Sequence, residues 1–245
     1  KKKLRKIGAS AKGIEITNAK LNKNTEKYIE LLYKRLQRKG FLLRDCARMI
    51  KRDRNVFSFL MLENGEADGM VTGLTRPYIT SLEDVTKAID KIPGQITFGL
   101  SVLITKDRTI FLADTTINEI PTSQELVDIA IQSAREVRNL GHEPRLAFIS
   151  FSKFGNPMRE KAQRIRDAVK IMENRTDIDF EYDGEMQANV ALNKEMLKMY
   201  PFCRLTEPAN ILIMPALHTA NVSSKLLQEL GGGTLIGPIL CGLSK

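Results

Sequence analysis

The chain has 245 residues, of which 42% are hydrophobic, and this suits one large globular domain or two small ones. No apolar run is long enough to cross a bilayer, and the three cysteines lack the spacing of a metal site or a disulfide framework, which favours a cytoplasmic location without membrane association. The net charge of +9 predicts an anionic partner. Because no nucleic-acid-binding motif accompanies this charge, a polyphosphate ligand is favoured over nucleic acid.

The first ninety residues are predicted to form helices and short strands. Hydrophobic periodicity predicts two helices and then two strands, over residues 24–39, 42–50, 56–62 and 69–72. Gly40 is a natural end for the first helix. Ser81 and Asp84 have the spacing of a capping box, which predicts that a further short helix begins there.

The remainder of the chain alternates strands with helices. Strands are predicted over residues 96–104, 109–113, 145–151 and 211–214, with further β segments before Asp183 and from Thr234. Helices are predicted after a capping box at Thr122 and Glu125, over residues 158–173, around residues 192–199, and after a cap at Ser223 or Ser224. Leu226, Leu227 and Leu230 give the last helix one apolar face. This alternation predicts an α/β protein with a largely parallel, helix-covered sheet.

Polar residues follow the buried strand over residues 145–151. Ser150, Ser152, Lys153 and Asn156 stand between that strand and the next helix. Ligands of open α/β sheets bind outside the carboxyl ends of strands, and a helix N-terminus suits phosphate or carboxylate. These residues are therefore a candidate anion site. The alternative is that Ser152 and Asn156 only cap the helix.

Other polar residues follow neighbouring strands. Asn118 comes after a strand end and is a second ligand candidate, or forms a turn; Asn221 and His218 occupy the predicted loop over residues 216–222. Glu185 belongs to an acidic loop that could bind a metal or supply a base, or form an ordinary turn. With no dense carboxylate or histidine cluster, a metal site is not expected.

Several segments resemble, in order, the phosphate acetyl/butyryl transferase family. They are DGMVTG (68–73), LADTTINEIPTSQELVDIAIQSA (112–134), EPRLAFISFS (143–152), DGEMQ (183–187) and the stretch that begins ANILIMP at residue 209. Three further segments resemble the transferase-like C-terminal domain of NADP-dependent malic enzymes more closely; they are GLTRPYITSLEDV (73–85), FGNP (154–157) and YPFCRL (200–205).

The resemblance implies a two-lobed fold like that of phosphate acetyltransferase and the isocitrate and isopropylmalate dehydrogenases. Two αβα lobes with largely parallel sheets would flank a ligand cleft, and the second lobe would be inserted into the first. Residues 99–230 map onto the inserted lobe. Residues 1–98 and 231–245 map onto the first lobe, whose C-terminal part would be missing.

The resemblance also implies a cleft that binds acetyl-CoA or phosphate. Its residues here would be Ser150, Ser152, Lys153, Asn156, Asn118, Asn221 and Arg38, with Arg35 as the alternative to Arg38. The family's DLSRG motif, which carries catalytic serine and arginine residues, would fall past Lys245. Another family arginine falls at Glu83, whose carboxylate would repel phosphate. These departures predict that no residue here is catalytic.

The expected function is that of a regulatory domain of an NADP-dependent malic enzyme, which oxidatively decarboxylates malate. The domain would bind acetyl-CoA or CoA without transferring the acetyl group and would contribute to a homo-oligomer. The catalytic malic enzyme domain would lie in the same chain, and NADP and a divalent metal would bind only there. The alternatives are an active phosphate acetyltransferase and a purely oligomer-forming scaffold.

Overall fold

A computed structural model describes residues 6–8, 10, 12–73 and 75–245. The chain divides into two compact units. We call Lys1–Asp90 with Ser244–Lys245 the helical unit, and Lys91–Leu243 the sheet unit.

The helical unit contains four α-helices among its described residues. They are α1 (Thr25–Leu36), which continues into a 3₁₀ turn (Gln37–Lys39), α2 (Leu43–Arg52), α3 (Arg54–Glu63) and α4 (Tyr78–Ala88). Helices α1 and α2 confirm the two helices predicted over residues 24–39 and 42–50. Gly40 ends the 3₁₀ turn with a positive φ of 85°. The core of this unit is formed by fully buried side chains from α1, α2 and α3, among them Tyr28, Leu32, Leu36, Ile50 and Leu60.

Two strand predictions in this unit were wrong. Residues 56–62 belong to helix α3, and residues 69–72 form no strand. The side chain of Asp53 caps α3 by accepting hydrogen bonds from the N–H groups of Asn55 and Val56. The apolar run stays buried because several sides of this helix pack inside the unit, and a fully buried helix cannot be told from a strand by periodicity alone.

The predicted start of the next helix was also wrong. Helix α4 begins at Tyr78, directly after Pro77, and Ser81 lies buried inside it. Proline favours a helix start because its fixed φ matches the helix and it has no N–H group to leave unpaired. The spacing of Ser81 and Asp84 is therefore coincidental, and Asp84 serves in an ion-pair network instead.

The sheet unit is built on six strands in the order β4-β3-β5-β2-β1-β6. The strands are β1 (Phe98–Ile104), β2 (Thr109–Ala113), β3 (Arg145–Ile149), β4 (Glu181–Met186), β5 (Ile211–Ile213) and β6 (Thr234–Cys241). The four strands from β4 to β2 run parallel, whereas β1 is antiparallel to both β2 and β6. The predicted α/β class with a mostly parallel sheet is confirmed.

Helices connect the strands and cover both faces of this sheet. They are α5 (Ser123–Asn139), α6 (Glu160–Glu173), α7 (Ala188–Leu192), α8 (Lys194–Leu197) and α9 (Leu217–Gly231). One face packs against α5 and α6, and the other against α7, α8 and α9. Burial on both faces explains why the strands are continuous apolar runs rather than alternating ones. The capping box of Thr122 and Glu125 opens α5 as the spacing predicts.

The last strand belongs to the sheet unit. Strand β6 pairs with β1 from Phe98↔Cys241 to Ile104↔Thr234. The sequence mapping assigned residues 231–245 to the first lobe, whereas the observed unit extends to Leu243 and begins at Lys91. Pairing between segments more than a hundred residues apart decides this membership, and no local pattern encodes it.

The segment after β5 also differs from its prediction. Residues 217–222 are the start of helix α9 rather than a loop, so neither Ser223 nor Ser224 caps the helix. The buried face consists of the small residues Ala220 and Ser224, while Leu226, Leu227 and Leu230 are exposed. Small side chains allow the helix to lie close to the sheet, which leaves its longer apolar side chains directed outward.

The predicted helix around residues 192–199 is divided in two. Helix α7 ends at Leu192, and α8 begins at Lys194. Asn193 separates them because its side chain accepts hydrogen bonds from the N–H groups of Glu195 and Met196, which makes it the cap of α8.

Candidate functional site

The carboxyl ends of strands β2, β3, β4 and β5 meet at one edge of the sheet, since these strands are parallel. This is where ligands of open α/β sheets bind. Polar or ionisable side chains lie at three of these ends, namely Asp114 after β2, Ser150 after β3 and Glu185 near the end of β4. Strand β5 is followed by Pro215 and the start of α9.

The loop after β3 is held in place by Glu185. This carboxylate is fully buried, and its Oε1 accepts hydrogen bonds from the Ser152 hydroxyl (2.6 Å) and the Gly155 N–H (3.0 Å). The guanidinium of Arg166 lies 3.0 Å from the same oxygen. The Phe154 N–H donates to the Glu185 backbone carbonyl at 2.8 Å. Three residues of the loop, Ser152, Phe154 and Gly155, are therefore hydrogen-bonded to one residue of β4.

Asp114 organises the loop after β2 in a similar way. Its carboxylate is buried and accepts hydrogen bonds from the N–H groups of Gly99 (2.9 Å), Thr116 (2.8 Å) and Asn118 (2.7 Å). The side-chain amide of Asn118 donates to it at 2.7 Å and to the Thr97 carbonyl at 3.0 Å. Asp114 thus serves as an acceptor for the loop rather than as a free carboxylate.

A cavity of about 620 Å³ lies beside the ends of β3 and β5. It is lined by Ile120, Ser150, Phe151, Glu160, Lys161, Arg164, Ile165, Pro215, Ala216 and Thr219. These residues include the first turns of both α6 and α9. No side chain caps the N-terminus of either helix. Uncapped helix N-termini leave N–H groups and a partial positive charge available to an anion.

Two cations lie in this cavity. Lys161 and Arg164 make no ion pair with the residues that the structure describes. Arg164 donates one hydrogen bond to the Pro215 carbonyl at 2.6 Å, and its Nε is buried without a partner. Glu160 contributes one carboxylate, so the cationic groups outnumber the anionic ones. Guanidinium and ammonium groups beside two helix N-termini suit a phosphate-bearing ligand.

The residues predicted between β3 and α6 have different positions. Ser150 lines the cavity, and its hydroxyl accepts a hydrogen bond from the Ser152 N–H at 3.2 Å. Ser152 is buried, and its hydroxyl is engaged by Glu185. Lys153 and Asn156 pair with each other through backbone hydrogen bonds of 3.0 Å, and Asn156 is exposed. Both are near the strand end but do not line the cavity.

The other predicted residues are more dispersed. Asn118 lines a separate cavity of about 380 Å³ together with Thr97. Asn221 lies in the second turn of α9 and is half-buried. Arg38 is exposed in the 3₁₀ turn of the helical unit, and Glu83 is exposed on α4 of the same unit. Within the sheet unit, the sheet-edge geometry therefore brings Ser150 to the cavity but not Asn118 or Asn221.

Sequence reasoning missed the residues that give the cavity its charge. Lys161 and Arg164 lie one helical turn apart in the sequence MREKAQRIR, directly after the predicted loop. The available signal was this i, i+3 basic pair at the start of a helix. It was not distinctive, because exposed basic pairs are common on helices of a chain with 38 lysine and arginine residues.

The three cysteines offer no activated nucleophile. Burial raises the pKa of Cys203 to about 11 and that of Cys241 to about 12. It also raises the pKa of Cys46. The thiolate is the reactive form, so these thiols remain protonated and unreactive near neutral pH.

The described residues contain neither a cluster of metal-ligating side chains nor a helix that could span a membrane. No group of three or more His, Cys, Asp or Glu side chains in that part of the chain could hold a metal ion. None of its helices is long and apolar enough to cross a membrane.

Comparison with known proteins confirms the resemblance seen in the motifs. The model of the family described as phosphate acetyl/butaryl transferase matches residues 1–245. An NADP-dependent malic enzyme of Rhizobium meliloti (strain 1021) is 53% identical over 233 residues, which are 95% of this chain and 30% of the relative. A probable NADP-dependent malic enzyme of Rickettsia prowazekii is 47% identical over 99% of this chain and 33% of its own length. The chain thus spans about a third of these relatives and matches their C-terminal part.

A solved structure also resembles this chain. A phosphotransacetylase from Streptococcus pyogenes superimposes with a TM-score of 0.85 at 30% identity, over 99% of this chain and 74% of the other. The match of the family model to the whole sequence, supported by this structure, shows that the chain belongs to the phosphate acetyl/butaryl transferase family.

Proposed function

We propose that these residues form a regulatory domain of an NADP-dependent malic enzyme that binds acetyl-CoA without transferring its acetyl group. The observation that carries the proposal is the cavity beside β3 and β5, where Lys161 and Arg164 of α6 lie near the uncapped N-termini of α6 and α9. Similarity to both malic enzymes and phosphate acetyltransferases supports the proposal of an acetyl-CoA-binding domain in a malic enzyme.

The cavity lining matches the chemistry of acetyl-CoA. The ligand carries phosphates and an apolar pantetheine arm that ends in a thioester. Lys161 and Arg164 would pair with phosphate oxygens, and the first turns of α6 and α9 would supply N–H donors. Ile120, Phe151 and Ile165 offer apolar surface for the uncharged part.

We extend the proposal to the whole malic enzyme of which residues 1–245 would form one domain. The catalytic malic enzyme domain would lie in the same chain, where NADP and a divalent metal would bind, and these residues would need no cofactor. The protein would work in the cytoplasm as a homo-oligomer to which this domain contributes.

Reversing the charge of Lys161 tests the ligand site. The Lys161→Glu variant is expected to bind acetyl-CoA at least about tenfold more weakly, because a carboxylate would replace a cation facing phosphate. Wild-type binding should weaken as salt is added, since ions screen the pairing. Isothermal titration calorimetry with acetyl-CoA, in buffers of low and high ionic strength, measures both effects.

A control variant lies on the same helix. Lys170 is exposed near the C-terminal end of α6 and does not line the cavity. Lys170→Glu should therefore keep wild-type affinity. No heat with the wild type would overturn acetyl-CoA as the ligand. Equal weakening by both substitutions would show a general charge effect rather than a site.

The loop after β3 is tested separately. The Lys153→Glu variant is expected to bind acetyl-CoA a few-fold more weakly, because Lys153 lies near the end of β3 but outside the cavity lining. The same titration applies. Affinity unchanged by Lys153→Glu but reduced by Lys161→Glu would place the ligand at the first turn of α6 and away from the loop.

These residues are expected to show no phosphate acetyltransferase activity. Asp114 is occupied by N–H donors, and Ser152 donates to buried Glu185. Glu83 replaces a family arginine and lies exposed on α4. A coupled assay of acetyl phosphate formation from acetyl-CoA and phosphate tests this expectation. Turnover that scales with protein concentration and survives repeated purification would contradict it.

An active transferase is the second candidate. Similarity to a phosphate acetyltransferase of Clostridium acetobutylicum favours this function. That protein is 32% identical over 100% of this chain and 76% of its own length. Acetyl phosphate formation in the assay above would select it. Self-association without any acetyl-CoA binding would instead leave a purely structural, oligomer-forming domain.

A further inference from the structure

The net positive charge of the chain is confined to its first ninety residues. Residues 1–90, which make up nearly all of the helical unit, contain 20 of the 38 lysine and arginine residues and 11 of the 29 aspartate and glutamate residues. Their formal charge is therefore +9, which is the net charge of the whole chain. Residues 91–245 contain 18 residues of each sign and are neutral. The cavity proposed for acetyl-CoA belongs to this neutral part, so it does not account for the charge of the helical unit.

Helix α2 collects part of this charge on its outward side. Arg44, Arg48 and Arg52 follow one another at i, i+4 and i+8, so they form one row, whereas Cys46 and Ile50 form the buried side. Arg44 and Arg52 make no ion pair with any residue that the structure describes. Like charges at this spacing destabilise a helix because they repel each other. Folding therefore does not explain the row, and a bound anion would relieve the repulsion.

A cavity of about 420 Å³ opens beside this row, within the helical unit. It lies between the 3₁₀ turn that follows α1 and the first turns of α2. Its lining is formed by Lys39, Gly40, Phe41, Asp45, Arg48 and Met49. The volume is within the range of roughly 300–1,000 Å³ that is usual for small-molecule sites.

The charged groups of the lining leave an excess of cations. Asp45 is already occupied, because its carboxylate accepts hydrogen bonds from the Leu42 N–H at 3.1 Å and from Nη2 of Arg48 at 2.6 Å. The Arg48 side chain is 62% exposed and keeps its other N–H groups for a ligand. Lys39 is exposed and makes no ion pair among the described residues. An ammonium and a guanidinium group so placed suit a phosphate.

The remaining lining is apolar. Phe41 and Met49 are half-buried, so each contributes apolar surface to the cavity without belonging wholly to the core. An apolar wall beside two cations favours a phosphate that carries an aromatic or apolar group over a bare inorganic ion.

We propose that this cavity of the helical unit binds a nucleoside phosphate. The phosphate would pair with Lys39 and Arg48, the base would lie against Phe41 and Met49, and Arg44 would add to the attractive field. None of these residues lines the cavity proposed for acetyl-CoA. The two proposals can therefore fail independently.

Titration of the 245-residue chain with adenosine monophosphate tests the site. Arg48→Glu and Lys39→Glu should each raise the dissociation constant about tenfold, with circular dichroism unchanged because both side chains are exposed. Lys27→Glu is the matched control. It makes the same change of charge at an exposed position of α1 roughly 18 Å from Lys39 along the helix, and should keep wild-type affinity.

Three comparisons decide the ligand and its location. Lys161→Glu should leave the affinity for adenosine monophosphate unchanged, and loss of binding in this variant alone would place the nucleotide in the other cavity and overturn the proposal. Adenosine and inorganic phosphate should each bind more weakly than the nucleotide, and equal affinity for inorganic phosphate would overturn the role of Phe41 and Met49. A wild type that binds oligouridine but not adenosine monophosphate would assign the cations to nucleic acid and equally overturn it.

Discussion

Replacing Glu185 by alanine is expected to destabilise the sheet unit by about 3 kcal/mol. The side chain is fully buried, and its loss removes the acceptor shared by the Ser152 hydroxyl and the Gly155 N–H. It also leaves the charge of Arg166, whose side chain is only 14% exposed, without its carboxylate. Breaking one half of a buried ion pair costs more than the pair contributes, because the remaining charge stays poorly solvated. Urea denaturation followed by circular dichroism measures the change.

The same substitution should weaken acetyl-CoA binding if the cavity is the ligand site. Glu185 does not line the cavity, but it holds the loop that begins at Ser150, which does. Glu185→Gln keeps an oxygen for the loop donors and should retain more affinity and more stability than Glu185→Ala. Affinity lost by Glu185→Ala at a temperature where its circular dichroism matches that of the wild type would distinguish positioning of the loop from a general loss of the fold.

Two further variants show whether the effect of Glu185→Ala comes from the buried ion pair. Glu195 is exposed and pairs with exposed Lys198, so Glu195→Ala should change the free energy of unfolding by less than about 0.5 kcal/mol. Adding Arg166→Met to Glu185→Ala removes the unpaired charge and should recover part of the lost stability. An effect of Glu185→Ala no larger than that of Glu195→Ala would mean that the buried network does not hold the loop.

Replacing Arg76 by alanine is expected to destabilise the helical unit by about 2–3 kcal/mol. One guanidinium nitrogen of Arg76 lies 2.7 Å from Asp53 and 2.9 Å from Asp84. The Asp84 side chain is only 5% exposed, and Asp53 also caps α3. Arg76 therefore joins the start of α3 to α4. Chemical denaturation compares the variant with Arg52→Ala, which removes an exposed arginine of α2 and should have little effect.

The contribution of Arg76 should depend on pH. Burial by itself raises the pKa of Asp53, but the hydrogen bonds from Arg76 and from the N–H groups of Asn55 and Val56 outweigh it and lower the pKa. A carboxylate with a lowered pKa in the folded state stabilises the protein above its ordinary pKa of about 4, and that stability is lost as the pH falls through the folded value.

Acid denaturation profiles test this pH dependence. The wild type should lose stability more steeply below about pH 4 than Arg76→Ala, because the variant lacks much of the interaction that protonation removes. The two proteins should therefore differ most near neutral pH and converge in acid. A stability difference that stays constant from pH 7 to pH 3 would show that Arg76 acts through packing rather than through its charge.

The residues that line the cavity were only partly accessible to sequence reasoning. Ser150, which lines the cavity, was a candidate because a buried strand followed by polar residues and a helix is a local pattern. Lys161 and Arg164 were not found, because their importance depends on Pro215 and Ala216, which join the same cavity from more than fifty residues away. Ser152 was predicted as a ligand residue, yet its hydroxyl is engaged by Glu185 from a different strand.

Local patterns in the amino-acid sequence were sufficient to predict the family, the α/β class and most elements of the sheet unit. Motifs in a set order identify a family, and the capping box at Thr122 and the alternation of strands with helices are encoded in neighbouring residues. Tertiary structure alone decided that residues 56–62 form a helix, that β6 joins β1, and that the leucines of α9 are exposed. The physical reason is that an apolar residue specifies burial but not the partner that buries it, and that partner is set by contacts between distant parts of the chain.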